Sequence, residues 1–135
     1  MQVNNILLTT EFDADFRFSG DATQLQQVIL NLLNNAIDAM IETLSRGPYL
    51  KIRGHVLGAQ LVLEIEDNGK GIESDDQEDI FSLFKTSKSQ GMGVGLWLSR
   101  AIAEAHGGQL DFTSDPGWGT VFTLRLPSLG PSSST

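Results

Sequence analysis

Leu25, Val28, Ile29, Leu32, Leu33, Ala36, Ile37 and Met40 recur at helical spacing. A helix written this way has one wide apolar face, and that face must be covered by another layer. The rest of the chain supplies strands to cover it. The first 20 residues read as extended, through Ile6, Leu7, Leu8, Phe12, Phe16 and Phe18, with Gly20 as punctuation; Asp21 or Thr23 can cap the helix that follows. The helix fades before Arg46-Gly47-Pro48. Residues 49–57 and 60–67 read as a hairpin around Gly58-Ala59, with LVLEIE alternating toward Asp67. Residues 73–90 are polar and irregular apart from Ile80, Phe81, Leu83 and Phe84, and loops of that length are often functional lids. A second helix is predicted from about Gly95 to Ala105, stopped at His106-Gly107-Gly108. Strands QLDFTS and TVFTLRLP follow, joined by DPGWG. This order predicts an α+β fold: a two-layer α/β sandwich with a mixed, mostly antiparallel sheet and helices on one face. Residues 1–127 form one domain and 128–135 a flexible tail.

A chain of 135 residues suits a single core, and its net charge of −8 bounds its partners. Broad binding to nucleic acid or to an anionic membrane needs clustered Lys and Arg, so neither is expected. No apolar run approaches the roughly 20 residues of a membrane-spanning helix. The start MQVNNILLTT lacks the basic region of a signal peptide. With no cysteine, thiolate metal sites, disulfides and cysteine nucleophiles are excluded.

Three segments carry chemistry. In the first helix Asn31, Asn35, Asp38 and Glu42 form a polar stripe beside the apolar face. Asparagine is a poor helix former, and its amide oxygen is a neutral hard ligand suited to Mg²⁺. After the strand ending at Asp67 comes Asn68-Gly69-Lys70-Gly71-Ile72. A carboxylate there can accept a hydrogen bond from an exocyclic amine such as that of adenine, and the glycines let backbone approach a ligand closely. Third, Gly91-Met92-Gly93-Val94-Gly95-Leu96 leads into a helix and offers free N–H groups to phosphate. Its G-x-G-x-G spacing is neither a dinucleotide fingerprint nor a Walker A loop. Each segment also has an everyday reading: a solvated helix face, a turn, a hinge. Together, and in this order, they read as a nucleotide site. An acidic chain would then draw positive charge from Mg²⁺, helix N-termini, backbone N–H groups and one or two lysines.

These segments resemble the four boxes of the GHKL ATPase superfamily, and most closely the catalytic ATP-binding domain of sensor histidine kinases. QQVILNLLNNAIDAM resembles the N box, DNGKGI the G1 box, FSLFKTSK the F box and GMGVGL the G2 box. The flanks SGDATQLQQV, EAHGGQLDFTS and PGWGTVFTLRLP agree, and the similarity covers residues 5–127, nearest to the oxygen- and nitrogen-sensor type. The resemblance implies the Bergerat fold, a mixed sheet with about three helices. It implies ATP and Mg²⁺ as the bound species, with Asn35 as the Mg²⁺ ligand and Asn31 as a further polar contact. Asp67 matches the adenine-binding aspartate, with Gly69, Gly71 and Ile72 in its wall. Gly91, Gly93, Val94, Gly95 and Leu96 match the phosphate turn, and Thr120 a threonine near the adenine aspartate. Phe81 and Phe84 match the aromatics that anchor the lid, beside Thr86. Lys88, and less directly Lys85, are lid cations able to reach the terminal phosphate.

Three departures shape the expectation. Asp38 stands where some relatives carry a lysine, so more of the charge burden falls on Lys88. FSLF lacks the proline common between the F-box aromatics. Asn31 stands where the hydrolysing branch carries a catalytic glutamate, which favours phosphotransfer over hydrolysis. His55 and His106 fall in a strand and at a helix end, so a structural role is expected for each, and the acceptor histidine is expected on a separate dimerisation helix hairpin. The resemblance thus implies the catalytic domain of a protein histidine kinase, in the cytoplasm, with a response regulator downstream. The alternatives are a nucleotide-binding regulatory module without phosphotransfer and a GHKL ATPase.

Overall fold

The computed structural model describes residues 2–3, 6–12, 16–18, 22–41, 43, 47–82 and 92–131. In chain order its elements are β1 (Gln2–Val3), β2 (Ile6–Phe12), β3 (Phe16–Phe18), α1 (Ala22–Ile41), β4 (Tyr49–Leu57), β5 (Gln60–Asp67), α2 (Ser74–Gln77), α3 (Met92–Ala105), β6 (Gln109–Asp115) and β7 (Gly119–Pro131). The strands form one mixed sheet. β1 pairs antiparallel with β2, β2 parallel with β4, and β4, β5, β7 and β6 continue antiparallel in that spatial order. β3 pairs with the far end of β7.

The apolar face of α1 does what its spacing demands. Val28, Leu32, Ala36 and Met40 are all but inaccessible and meet Leu50, Ile65, Leu110, Phe122, Leu124 and Leu126 from the sheet. Helix α3 lies beside α1 on the same face and adds Leu96 and Ala103. Each fully buried Val, Leu, Ile, Met or Phe among them contributes about 1.5–3 kcal/mol by leaving water, and an alanine methyl less. The result is the α+β two-layer sandwich read from the sequence, with the helices on one face.

Strand alternation sets which side chains face the helices. Leu63, Ile65 and Asp67 share that face of β5; Thr120, Phe122 and Leu124 share it on β7; Leu110, Phe112 and Ser114 share it on β6. Register then places Asp67 opposite Thr120, and Thr120 opposite Ser114, in one row across three strands. On the other face Tyr49 donates to Glu66 (2.7 Å), and Arg53 pairs with Glu64 and Glu66 (3.1 and 3.0 Å).

Boundaries differ from the sequence reading in three places. Helix α3 begins at Met92, not near Gly95. Glycine costs a helix about 1 kcal/mol, yet the helix includes Gly93 and Gly95; α3 packs beside α1 here, with the Asn31 amide donating to the Gly95 carbonyl at 3.3 Å. Strand β7 continues to Pro131 because Ser128 and Pro131 pair with Phe18 and Phe16, so the first four residues of the expected tail are in the sheet. Within 73–90, Ser74–Gln77 forms a helical turn; 83–90 lie outside the described residues, as does Asp21.

Candidate functional site

Strand β5 ends on a carboxylate that faces the helices. Asp67 is 4% exposed, at a position where the preceding alternation would place an aliphatic residue. Its Oδ1 accepts the N–H of Gly69 at 2.8 Å. Burial pushes its carboxyl up to about 6, and neighbouring Glu66 adds to that; the Gly69 and Thr120 N–H groups pull the other way. Desolvation wins, leaving a carboxylate that ionises only slightly below neutral pH.

The glycine turn is pressed against α1. Lys70 N–H donates to the Ala39 carbonyl at 3.0 Å, and a Cβ at Gly69 would come within 2.5 Å of that same oxygen. Only glycine fits so close an approach. Gly71 has φ of 74°, and a Cβ there would collide with the Asp115 carbonyl. From the other side the β6–β7 turn closes on this loop, with Gly117 N–H donating to Lys70 O at 2.7 Å.

Between α1 and the sheet these pieces leave a cleft of about 410 Å³, open solvent at its mouth included. Asp67, Thr120 and Phe122 form its floor, Gly71 and Ile72 one wall, and Asn35, Asp38 and Ala39 the other. Asn35 is half-buried, and its Nδ2 is buried without a hydrogen-bond partner. An unpaired buried amide costs about 1–3 kcal/mol unless something outside the chain meets it. Among the described residues no three His, Asp or Glu side chains cluster as a metal cage. Mg²⁺ does not require one: it keeps its waters and takes one or two protein oxygens beside phosphate. The amide oxygen of Asn35, with Asp38 on the next turn, fits that pattern.

The structure therefore brings together Asn35, Asp67, Gly71, Ile72 and Thr120, with Gly69 locking the turn. Asn31 sits apart. Its Nδ2 donates to Ser99 Oγ (3.0 Å) and Gly95 O (3.3 Å), and its Oδ1 accepts from Gln27 (3.0 Å). It ties α1 to α3. Gly93, Val94 and Gly95 lie in the opening turns of α3, whose first N–H groups have no intrahelical acceptor. Leu96 is wholly buried in the core and does not reach the cleft. Phe84, Lys85, Thr86, Lys88 and Gly91 lie outside the described residues. Phe81 packs edge-on to Phe112 and Phe122 (5.9 and 6.5 Å between centroids), with the Arg100 guanidinium 4.7 Å above its ring. His106 Nδ1 meets the Ile102 carbonyl at 2.9 Å, a helix-end contact, and His55 lies half-buried on β4.

Sequence reasoning missed Lys70 as a cleft residue and missed Ser114 altogether. Ser114 Oγ accepts from Ile72 N–H (2.8 Å) and lies 2.8 Å from Thr120 Oγ1. The signal was present: Leu110 and Phe112 set an inward phase that puts Ser114 beside the floor.

Residues 20–130 match the family model described as histidine kinase-, DNA gyrase B-, and HSP90-like ATPase. Over 109 residues the chain is 41% identical to the signal transduction histidine-protein kinase AtoS of Escherichia coli, covering 81% of this chain and 17% of that protein. It is 39% identical to the C4-dicarboxylate transport sensor protein DctS of Rhodobacter capsulatus, over 79% of this chain and 16% of that protein. The chain thus spans less than a fifth of the length of these two relatives. Among solved structures, the nucleotide-free catalytic domain of histidine kinase ThkA superposes with a TM-score of 0.79 at 34% identity, covering 91% of this chain and 79% of that one. The mycobacterial sensor histidine kinase MprB gives 0.79 at 26% identity, over 92% of this chain and 83% of that one.

Proposed function

This chain belongs to the histidine kinase-, DNA gyrase B- and HSP90-like ATPases, and from that premise we propose that it is the catalytic domain of a sensor histidine kinase. It binds ATP with Mg²⁺ and delivers the γ-phosphoryl group to a histidine on a separate dimerisation helix hairpin. The NNAIDAM ending of α1 supports a place near the oxygen- and nitrogen-sensing kinases. A response regulator then takes the phosphoryl group. A domain that draws on ATP works in the cytoplasm, and no helix among the described residues is long and apolar enough to cross a membrane.

The observation that carries this reading is the opposition of Asp67 on the cleft floor and the orphaned Asn35 amide on its wall. Asp67 accepts a hydrogen bond from the adenine amino group, in a site dry enough for that bond to discriminate. Asn35 on the facing wall would hold Mg²⁺ through its amide oxygen, leaving the unpaired Nδ2 to donate to an oxygen of the bound nucleotide. The ion when bound neutralises charge on the phosphates, a role the acidic chain fills poorly by itself. The first turn of α3 presents N–H groups to the phosphates. An incoming imidazole nitrogen forms the bond to γ-phosphorus as the bond to the ADP oxygen breaks. The domain contributes position and charge neutralisation rather than covalent work.

Asn31 supports transfer over hydrolysis. One turn before Asn35 there is an amide engaged with α3, not a carboxylate able to take a proton from water. The experiment is to mix the domain with the histidine-bearing hairpin of its own kinase and γ-labelled ATP. Label on the hairpin histidine is expected. Tight ATP binding with no label on the hairpin, or steady phosphate release without an acceptor, would replace this reading by a regulatory module or an ATPase.

A further inference from the structure

Ser114 Oγ has three hydrogen-bond partners, Ile72 N–H, Gly119 O and Thr120 Oγ1, and its proton count closes a question that distance leaves open. A serine hydroxyl has one proton to give and two lone pairs to receive with. Ile72 N–H donates to Ser114 Oγ at 2.8 Å, taking one lone pair. The Gly119 carbonyl oxygen, 3.1 Å away, can only accept, so it takes the proton. One lone pair is left for Thr120 Oγ1 at 2.8 Å, and the bond forms only if Thr120 is the donor. In the arrangement that satisfies every partner, the Thr120 hydroxyl proton points away from the cleft and its lone pairs face into it.

We propose that Ser114 is a specificity-determining positioning residue: it holds Thr120 as a hydrogen-bond acceptor, so the cleft floor presents two acceptors and selects a base with an amino group at its recognition edge over one with an oxo group. The inference rests on the nucleotide reading above and deepens it. Thr120 is 4% exposed and lies beside Asp67 on the cleft floor, so its hydroxyl has little alternative contact with water. Asp67, when ionised, is also acceptor-only. A base presenting a carbonyl there meets lone pairs on both sides. Gln77 holds the other end of the same turn, donating to Ile72 O (2.9 Å) and Ser114 O (3.2 Å), which keeps Ser114 in register with the wall. Without Ser114 Oγ, the Thr120 hydroxyl is released to rotate and donate, and the discrimination relaxes.

The test is calorimetric binding of adenosine and of inosine, which exchanges the amino group for an oxo group, to the wild type, Ser114→Ala, Ser114→Thr and Thr120→Val. The wild type is expected to favour adenosine. Ser114→Ala is expected to cut the adenosine-to-inosine ratio about tenfold, the worth of one redirected hydrogen bond. Ser114→Thr keeps the hydroxyl and restores the wild-type ratio. Thr120→Val removes the acceptor with Ser114 left in place and lowers the ratio likewise, a second route should Ser114→Ala not fold. Equal weakening toward both nucleosides in Ser114→Ala, or an unchanged ratio in Thr120→Val, overturns the role of Ser114. Absence of any adenosine or ATP binding by the wild type overturns the nucleotide reading itself and this inference with it.

Discussion

The N–H of Lys70 donates to the carbonyl of Ala39 at 3.0 Å, and that bond fastens the glycine turn after β5 to helix α1. It joins two of the segments that stand out in the sequence, one carrying Asp67 and the other Asn35. The cleft exists because these two backbones are held apart by no more than a glycine.

Gly69→Ala tests that closeness. The added methyl would lie within 2.5 Å of Ala39 O, which is backbone and cannot swing aside. A loss of about 1–3 kcal/mol in urea-unfolding stability is expected. Stability within 0.5 kcal/mol of wild type would show that the turn is not pinned as described.

Asp67 is costly to the fold and useful to the site. Its folded-state pKa, raised from 3.8 to about 6, means the native state binds the proton more tightly than the unfolded chain. The group therefore favours the fold most at low pH, and that advantage is lost as pH rises through about 6, a change of about 3 kcal/mol. Asp67→Asn keeps an oxygen for Gly69 N–H and cannot ionise. It is expected to unfold at a higher temperature than wild type at pH 7.5, with the gap closing toward pH 4. A less stable variant at pH 7.5 would contradict this.

The same titration is expected to govern binding. Only the ionised carboxylate is acceptor-only, so adenosine affinity should be level above pH 7 and fall toward tenfold per pH unit below about 6. Adenosine is the right probe because it has no phosphate of its own to titrate. Affinity that is flat from pH 7.5 to 5 would remove Asp67 from the recognition.

Much of this was legible in the sequence, and the exceptions share a cause. The β4–β5 hairpin falls where alternation and Gly58-Ala59 put it, and the α1 face is buried as its spacing demands. Asp67 was legible because a carboxylate ending an apolar strand breaks the pattern. The start of α3 was not, since local propensity penalises Gly93 and Gly95 while the helix packs against α1, with Asn31 bonded to the Gly95 carbonyl. Leu96 was placed with the phosphate turn through the resemblance of GMGVGL to the G2 box, yet helical periodicity turns its side chain into the core. The extension of β7 to Pro131 depends on β3, a three-residue strand with little signal of its own. Ser114 looks like an ordinary strand serine until register puts it beside Thr120.

Asn31→Ala should separate fastening from adenine recognition. It removes the bonds to Ser99 and Gly95 that hold α3 to α1, at a cost of about 1–3 kcal/mol in stability. Affinity for ATP should fall more than affinity for adenosine, because only ATP reaches the first turn of α3. Equal losses would place the effect in the fold as a whole.

The central claim is that the cleft between α1 and the sheet holds an adenine nucleotide, with Asp67 meeting the base and Asn35 the residue that would hold Mg²⁺ beside the phosphates. Calorimetry with a non-hydrolysable ATP analogue, with and without Mg²⁺, on wild type, Asp67→Asn and Asn35→Ala tests it most directly. The account expects wild-type binding tightened by Mg²⁺, a loss of about 10–100-fold in Asp67→Asn, and loss of the Mg²⁺ effect in Asn35→Ala with Mg²⁺-free binding retained. No binding by wild type, or a Mg²⁺ effect undiminished in Asn35→Ala, would contradict it.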